Sequence, residues 1–361
     1  MNIEQIDKNL APPEMKDIPD VEWIDIREAP FEIYGLYKPT EGDLFRRLPD
    51  DVASATNNGV KRLALNTAGG RVRFSTDSPY IAISVRFNHP EIKAKHMAHM
   101  PAVGKYGFDL YLDRGTHHHF ITSFFPDVNN FDGFDTFRNV SGRDWCNGLC
   151  SYTIDFPLYN GVGRVMIGIQ RGCALCAGEK YREVPPIVYY GSSITQGGCA
   201  SRPGNSYQGF ICRRNNIDYL NLGFSGSACG EVAIAEYIAG LDMSAFVCDY
   251  DHNAPNPAHL RDTYERFYHI IREKNPTLPY VMVSKPDVDG REKDSEARKK
   301  IIIDAYDRAR AAGDRNVYYI DGETLFGTDC REDCTVDGTH PNDLGFYRMG
   351  QVIGDLLEKL I

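Results

Sequence analysis

The sequence predicts two domains, an N-terminal β-sandwich of jelly-roll type and a C-terminal α/β domain built on a doubly wound parallel sheet. Three observations lead to this fold class. At 361 residues, the chain is longer than the roughly 100–200 residues of one usual domain. Its first half alternates short apolar stretches with turn residues, and its second half alternates apolar runs with helical stretches. We place the sandwich at residues 1–178 and the α/β domain at residues 183–361.

The strands of the sandwich are predicted from apolar residues that recur at every second position, a period typical of half-buried strands. The alternation is clearest in four segments, at residues 31–37, 81–87, 107–112 and 163–169. Turn residues, such as the Ala-Gly-Gly at 68–70, separate these segments. Many short strands with few helical stretches favour a sandwich, and Gly178, Pro185 and Pro186 interrupt regular structure at its end.

The α/β domain is predicted from five short apolar runs, at residues 187–190, 219–222, 245–248, 280–283 and 317–320. Helical stretches lie between them. One is predicted from apolar residues that share a helix face, namely Leu260, Tyr264, Phe267 and Ile271. Further helices are expected at 292–312 and through 352–360. Strands that alternate with helices imply a parallel, doubly wound sheet.

The charge balance excludes several classes of partner. Lys and Arg number 40 against 50 Asp and Glu, which gives a net charge of -10 and leaves no basic tract for nucleic acid. No apolar run approaches the roughly 18–20 residues of a membrane span, so no membrane partner is expected.

The N-terminus shows no secretory signal, and we expect a cytoplasmic protein with reduced cysteines. The alternative is a secreted protein whose signal has been trimmed, and in an oxidising compartment Cys330 and Cys334 could form a disulfide. The sequence does not predict the oligomeric state.

Candidate chemistry collects after the strands of the predicted parallel sheet, where doubly wound folds place their functional residues. A serine, Ser193, follows the first strand, and an Asp-x-x-His pair, Asp337 and His340, follows the last. A serine hydroxyl needs a base within hydrogen-bond reach, which His340 can supply while Asp337 orients its ring. The N–H groups of Ser193 and Gly226 and the amide of Asn253 can form an oxyanion hole.

These residues lie in segments that resemble the four sequence blocks of SGNH (GDSL-type) hydrolases. The matching segments are Gly-Ser-Ser-Ile-Thr at 191–195, Asn-Leu-Gly-Phe-Ser-Gly at 221–226, Asp-His-Asn at 251–253 and Asp-Gly-Thr-His-Pro at 337–341. All four occur in order. The resemblance implies a flavodoxin-like sheet, a catalytic triad of Ser193, Asp337 and His340, and an oxyanion hole of Ser193, Gly226 and Asn253. It implies no cofactor and no metal.

Two departures from the family blocks bear on substrate preference. Ser192 replaces the usual Asp before the nucleophile, and Asn253 lies between His252 and Ala254 in a segment that departs from the usual Gly-x-Asn-Asp. We predict that Ser192, Asp251 and His252 line the substrate pocket, while a hydrogen-bonded loop pair is an equal alternative for Asp251 and His252.

The first half resembles the β-sandwich that precedes some bacterial, carbohydrate-active SGNH hydrolases. The matching stretches are residues 34–36, 46–49, 67–74 and 107–111. Esterases of this two-domain kind remove acyl groups, often acetyl, from sugars. Three polar residues of these stretches are interpreted as surface residues, namely Tyr34, Arg46 and Arg47. The alternative is that their side chains extend from the sandwich into the site.

Several residues have simpler interpretations than the functional ones. Ser193 alone would be a helix N-cap, and Asn253 a turn residue. Residues 117–119 are three histidines, but neighbours on a strand point to opposite faces, which disfavours a metal site. Cysteines at paired spacing are favoured as structural thiols over zinc ligands, namely Cys146, Cys150, Cys173 and Cys176.

The sequence therefore predicts a serine esterase that hydrolyses small acyl, most simply acetyl, esters of a small molecule or oligosaccharide through an acyl-enzyme. One alternative is a lipase or thioesterase with the same triad. The other is a sugar-binding protein whose hydrolase domain is inactive.

Overall fold

The first half of the chain forms two antiparallel sheets in the computed structural model, which describes Met15, Ile18 and residues 20–88, 97–126, 132–141, 148–286 and 293–361. Its strands are β1 Val21–Asp25, β2 Glu32–Tyr34, β3 Arg71–Thr76, β4 Tyr80–Phe87, β5 Phe108–Arg114, β6 His117–Phe124, β7 Gly133–Asn139, β8 Cys150–Asp155, β9 Val162–Gln170 and β10 Leu175–Ala177. One sheet has the order β1-β9-β4-β7. The other has the order β10-β3-β8-β5-β6, with β2 also paired to β3.

The two sheets pack face to face on an apolar core. Alternate residues of β4, Ile81, Ile83 and Val85, are fully buried against Val72 and Phe74 of β3. This period of two is the pattern from which the strands were predicted, and it confirms the β-sandwich.

The outer face of β3 in the second sheet is also buried, which the sequence pattern did not predict. Arg71 and Arg73 of β3 lie beneath the α/β half, where Arg71 forms an ion pair with Asp218 and Arg73 bonds Asn216. Polar residues that alternate with apolar ones normally face water. Here they form a hydrogen-bonded seam between the two halves, so every residue of β3 is buried.

The second half contains a five-stranded parallel sheet of order β12-β11-β13-β14-β15. Its strands are β11 Ile187–Gly191, β12 Tyr219–Gly223, β13 Ala245–Asp249, β14 Tyr280–Val283 and β15 Val317–Ile320. This 2-1-3-4-5 order is that of flavodoxin-like sheets and confirms the predicted fold class. The order reverses at β11, which makes its carboxyl end the topological switch point, where ligands bind in such sheets.

Nine helices are described along the chain: α1 Asp50–Thr56, α2 Asn58–Leu63, α3 Ala102–Tyr106, α4 Ser193–Gln196, α5 Tyr207–Asn215, α6 Val232–Ala239, α7 Pro257–Lys274, α8 Ser295–Ala311 and α9 Asp343–Leu357. The helix α7 buries the predicted face and begins where Asn256 accepts a hydrogen bond from His259 N–H. Among the helices of the described residues, none is both long and apolar enough to cross a membrane.

Helices α1 and α2 were not predicted, and they pack with the second half of the chain although they precede it. Val60 and Leu63 of α2 join the same apolar cluster as Ile234 and Ile238 of α6. The stretch around 48–64 thus belongs to the core of the α/β half in space, and the domain bounds themselves stay a prediction.

Candidate active site

A short turn between β11 and α4 presents Ser193 at the switch point. Gly191 ends the strand, and a Cβ atom there would collide with the carbonyl oxygen of Asp249 and the hydroxyl of Thr195, so the strands can approach closely only with glycine. The Ser192 side chain caps the helix by accepting a hydrogen bond from Ile194 N–H at 3.1 Å. Ser193 is the first residue of α4, and its hydroxyl is left for other partners.

Ser193, His340 and Asp337 form one hydrogen-bonded chain. Ser193 Oγ lies 2.9 Å from His340 Nε2, and His340 Nδ1 lies 2.8 Å from Asp337 Oδ2. Burial raises the pKa of Asp337, but hydrogen bonds from the backbone and ring of His340 and from Thr339 N–H outweigh it and lower that pKa to about 2. An ionised Asp337 can only accept, so Nδ1 carries the ring proton and Nε2 is free to accept the Ser193 proton.

The loop that carries Asp337 and His340 is folded around the carboxylate. Asp337 Oδ1 accepts hydrogen bonds from Thr339 N–H at 3.0 Å and from His340 N–H at 2.8 Å. Val336 N–H donates to the His340 carbonyl at 2.9 Å, and Gly338 has a φ of 87°, which few other residues tolerate. The Asp-Gly-Thr-His sequence therefore orients the imidazole through its own backbone.

The predicted oxyanion donors lie on two neighbouring turns. Gly226 has a φ of 64° and follows Ser225, whose N–H donates to Gln196 Oε1 at 3.0 Å. Asn253 ends the short 3₁₀ turn Asp251–Asn253 and donates one Nδ2 hydrogen to the Phe224 carbonyl at 2.9 Å. Because an amide nitrogen has two hydrogens, the second stays available to an oxyanion. The turn of Gly226 and the side chain of Asn253 are thus tied together at Phe224.

Side chains from the first half of the chain support this site, and the sequence analysis missed them. Tyr159 donates its hydroxyl to the Ser193 carbonyl at 3.1 Å. Gln196 Nε2 donates to Asn66 Oδ1 at 3.1 Å, which links the turn before Gly226 to the sandwich side. A lone Tyr, Gln or Asn has no local sequence pattern, so only the proximity of distant segments reveals these contacts.

Arg47 is the largest correction to the sequence analysis, which interpreted it as a surface residue. Its guanidinium is buried and donates to the carbonyl oxygens of Leu63 at 2.7 Å, Asn66 at 2.9 Å, Asn221 at 2.9 Å and Gly223 at 2.6 Å. Burial lowers the pKa of Arg47 to about 9, so the side chain is still charged at neutral pH. Arg46, in contrast, lies at the surface beside Asp50.

The residues predicted to line the substrate pocket lie at different depths. Ser192 and Asp251 are fully buried, the first as the cap of α4 and the second as acceptor of the Lys285 N–H at 3.0 Å. Both side chains thus bond within loops, which is the alternative given for Asp251, and a place in the substrate pocket stays a prediction. Burial raises the pKa of Asp251 to about 6. His252 is half-buried, and burial, with the charges of Lys285, His340 and Arg298, lowers its pKa to about 3.

The structure describes most of the histidines and cysteines that the sequence singles out. His118, on β6, lies 2.7 Å from Asp113 at the seam between the halves. The described cysteines form no disulfide, Cys330 and Cys334 included, while Cys146 lies outside the described residues. Burial and the charge of Asp337 raise the pKa of Cys199 to about 12, which makes its thiol a poor nucleophile.

The fold and this arrangement of side chains define an ester hydrolase of the SGNH class. Residues 184–358 match the sequence model of the GDSL-like lipase/acylhydrolase family, and residues 21–175 match the model for the N-terminus of SGNH-hydrolase-type esterases. No curated protein matches the chain.

Solved structures with the same fold cover both halves of the chain. A GDSL-like lipase from Bacteroides ovatus is 27% identical, with a TM-score of 0.82 over 94% of this chain and 98% of that one. A salicylyl-acyltransferase from a tetracycline biosynthetic pathway is 19% identical, with a TM-score of 0.75 over 92% and 95%. A family two carbohydrate esterase from Clostridium thermocellum, in complex with cellohexaose, is 13% identical, with a TM-score of 0.63 over 91% and 98%. The last two similarities concern the fold alone.

Proposed function

We propose that this hydrolase is a serine esterase that removes small acyl groups, acetyl in the simplest case, from a carbohydrate through an acyl-enzyme. The observation that carries the proposal is the continuous hydrogen-bonded chain from Ser193 Oγ through the His340 ring to Asp337, at the carboxyl edge of the parallel sheet. A serine, a base and an orienting carboxylate at these distances are the parts that nucleophilic acyl transfer requires.

In the first half-reaction, Ser193 Oγ attacks the ester carbonyl carbon while His340 Nε2 takes the hydroxyl proton. Asp337 stays ionised and stabilises the imidazolium that forms. The carbonyl oxygen becomes an oxyanion, which the N–H groups of Ser193 and Gly226 and the free Nδ2 hydrogen of Asn253 bind. Loss of one such donor typically lowers the rate by about 10²–10³.

The first half-reaction ends when this tetrahedral intermediate collapses: the imidazolium gives its proton to the leaving alcohol oxygen, and the acyl group stays on Ser193. In the second half-reaction, water enters, and His340 takes a proton from it as its oxygen attacks the acyl carbon. A second tetrahedral intermediate collapses to release the carboxylic acid and to return the proton to Ser193. Every proton passes through the same ring nitrogen, so no metal or organic cofactor enters the scheme.

The substrate class is supported by the openness of the triad and by the relatives. The side chains of His340 and Asp337 are 21% and 36% exposed, which suits a hydrated, polar leaving group better than an enclosed acyl chain. The family two carbohydrate esterase combines the same two halves in one fold. A net charge of -10 poses no obstacle to a neutral sugar ester.

The first experiment compares two adjacent serines. We expect Ser193→Ala to lower the kcat for p-nitrophenyl acetate by about 10⁴ or more, because no nucleophile remains. Ser192→Ala removes only a helix cap, so it is expected to lower the free energy of unfolding by about 1 kcal/mol while kcat stays within tenfold. Equal rates for Ser193→Ala and wild type would refute the proposed nucleophile.

The second experiment tests the substrate. Acetylated oligosaccharides incubated with the enzyme are expected to lose the mass of one acetyl unit per turnover, and p-nitrophenyl esters are expected to react more slowly as the acyl chain lengthens. A preference for long chains would favour a lipase or thioesterase. Glycan binding without turnover of any ester would favour a sugar-binding protein.

A further inference from the structure

Two side chains with no part in the proposed reaction lie beside His340. His99 precedes α3 in the first half of the chain, and its ring centroid lies 5.3 Å from that of His340. Cys199 lies beyond α4, is buried, and has a φ of 73°. One ligand atom each of His99, Cys199 and His340 lies within 4.8 Å of the other two. Three remote segments thus bring two imidazoles and a thiol together at the edge of the site.

This set of donors has a defined chemical preference. Imidazole nitrogen and thiolate sulfur are the ligands that Zn²⁺, Co²⁺ and related divalent metals select, while Mg²⁺ and Ca²⁺ prefer oxygen. Zn–N bonds of about 2.0–2.1 Å and Zn–S bonds of about 2.3 Å place the ligand atoms of a tetrahedral site roughly 3.3–3.7 Å apart. The separations here are at most 4.8 Å, so side-chain rotations that shift each atom by less than about 1 Å would complete the geometry.

We propose that His99, Cys199 and His340 form an inhibitory binding site for a divalent transition metal of the zinc class. Metal binding itself is independent of the reaction, but its inhibitory effect rests on the proposed function, in which His340 is the base. Water completes the fourth position. The Cys199 thiol releases its proton to solvent as the sulfur–metal bond forms, the two histidines bind as neutral rings, and no group is oxidised or reduced.

Inhibition follows from the hydrogen bonds that His340 already makes. Its Nδ1 bonds Asp337 and its Nε2 bonds Ser193, so a metal on either nitrogen displaces one of these partners. Loss of the first bond leaves the ring without its orienting carboxylate. Loss of the second leaves Ser193 without a base. The enzyme with metal bound therefore cannot activate its nucleophile, whichever nitrogen the metal takes.

The first experiment measures binding without any catalytic signal. Ser193→Ala protein is titrated with Co²⁺ and followed by absorption, where a thiolate ligand produces a charge-transfer band. We expect one Co²⁺ to bind per chain. The band should be lost when the Ser193→Ala protein also carries Cys199→Ser, and it should remain when the protein carries Cys229→Ser instead. Cys229 is a good control because it is a free, half-buried cysteine that lies near Asn253, outside the cluster. An unchanged band in the Cys199→Ser protein would overturn the proposal.

The second experiment measures inhibition. Zn²⁺ is expected to inhibit p-nitrophenyl acetate hydrolysis by the wild type and by Cys229→Ser, and a chelator to restore the rate. His99→Gln and Cys199→Ser are expected to keep the basal rate and to need at least tenfold more Zn²⁺. Equal sensitivity in all variants, at equal melting temperatures, would overturn the site. If no protein hydrolyses esters but cobalt binding still requires Cys199, the proposed function fails and the metal site stands.

Discussion

Arg47 offers the sharpest test of how the first half of the chain supports the catalytic half. Its guanidinium lies at the carboxyl end of β12 and donates to four carbonyl oxygens, two of them on β12 at Asn221 and Gly223. It also covers the ring of Phe224 at 4.6 Å. Phe224 in turn accepts the Asn253 amide. We predict that Arg47→Met loosens this end of the strand and destabilises the fold.

The magnitude follows from two opposing contributions. Hydrogen bonds to a charged group contribute about 1.5–3 kcal/mol each, so four of them give a gross loss of about 6–12 kcal/mol. Methionine fills similar volume and avoids the burial of a charge, which costs several kcal/mol per ion. The expected decrease in the free energy of unfolding is therefore about 3–5 kcal/mol, a large share of the roughly 5–15 kcal/mol that stabilises a usual domain.

The assay is urea unfolding at pH 7, with kcat and KM for p-nitrophenyl acetate measured on the folded protein. Arg46→Met is the matched control, because Arg46 is half-buried and pairs at 3.3 Å with the exposed Asp50, an ion pair for which less than about 1 kcal/mol is expected. Arg47→Met should also lower kcat more than it changes KM, since the turn that it supports holds the oxyanion donors. A free energy of unfolding within 1 kcal/mol of the Arg46→Met value would refute this reasoning.

Three further predictions concern the site. Because hydrogen bonding holds the pKa of Asp337 at about 2, below its ordinary value of 3.8, its carboxylate stabilises the fold above pH 4 and this stabilisation is lost as the pH falls towards 2. The gap in melting temperature between wild type and Asp337→Asn should close over that range, and a gap that persists at pH 2 would contradict this. Gln196→Met removes the acceptor of the Ser225 N–H, so kcat should fall about tenfold, equivalent to 1.4 kcal/mol, with KM little changed; steady-state kinetics check this. In Gly226→Ala the new Cβ meets open space, so the free energy of unfolding should fall only by the left-handed strain of about 1–2 kcal/mol. In Gly223→Ala the new Cβ collides with the Gln196 backbone, so the decrease should be larger. Equal urea midpoints for the two variants would contradict this prediction.

The sequence predicted the parallel sheet almost residue by residue. The runs at 280–283 and 317–320 match β14 and β15, and the other three strands extend one residue further than predicted. A strand buried on both faces is a continuous apolar run, so its signal is local. Helices α1 and α2 gave no such signal, because they are short and their few apolar residues pack against α6, far along the chain.

The residues of the candidate site also divide into those with a local sequence signal and those without one. Ser193, Gly226, Asn253, Asp337 and His340 were predicted because each stands in a short motif after a strand, and parallel strands bring their carboxyl ends to one edge. The structure places the serine, histidine and aspartate in hydrogen-bond contact, while their catalytic roles stay a prediction.

What the sequence determined alone is the position of the five parallel strands and the identity of the motifs that follow them, because these depend on neighbours within one element. Only the tertiary structure decided that Arg47, Asn66 and Tyr159 support the site from the first half of the chain, and that His99 and Cys199 stand beside His340. These contacts join residues more than 30 positions apart. No local pattern encodes them, since they arise from the packing of the sandwich against the parallel sheet.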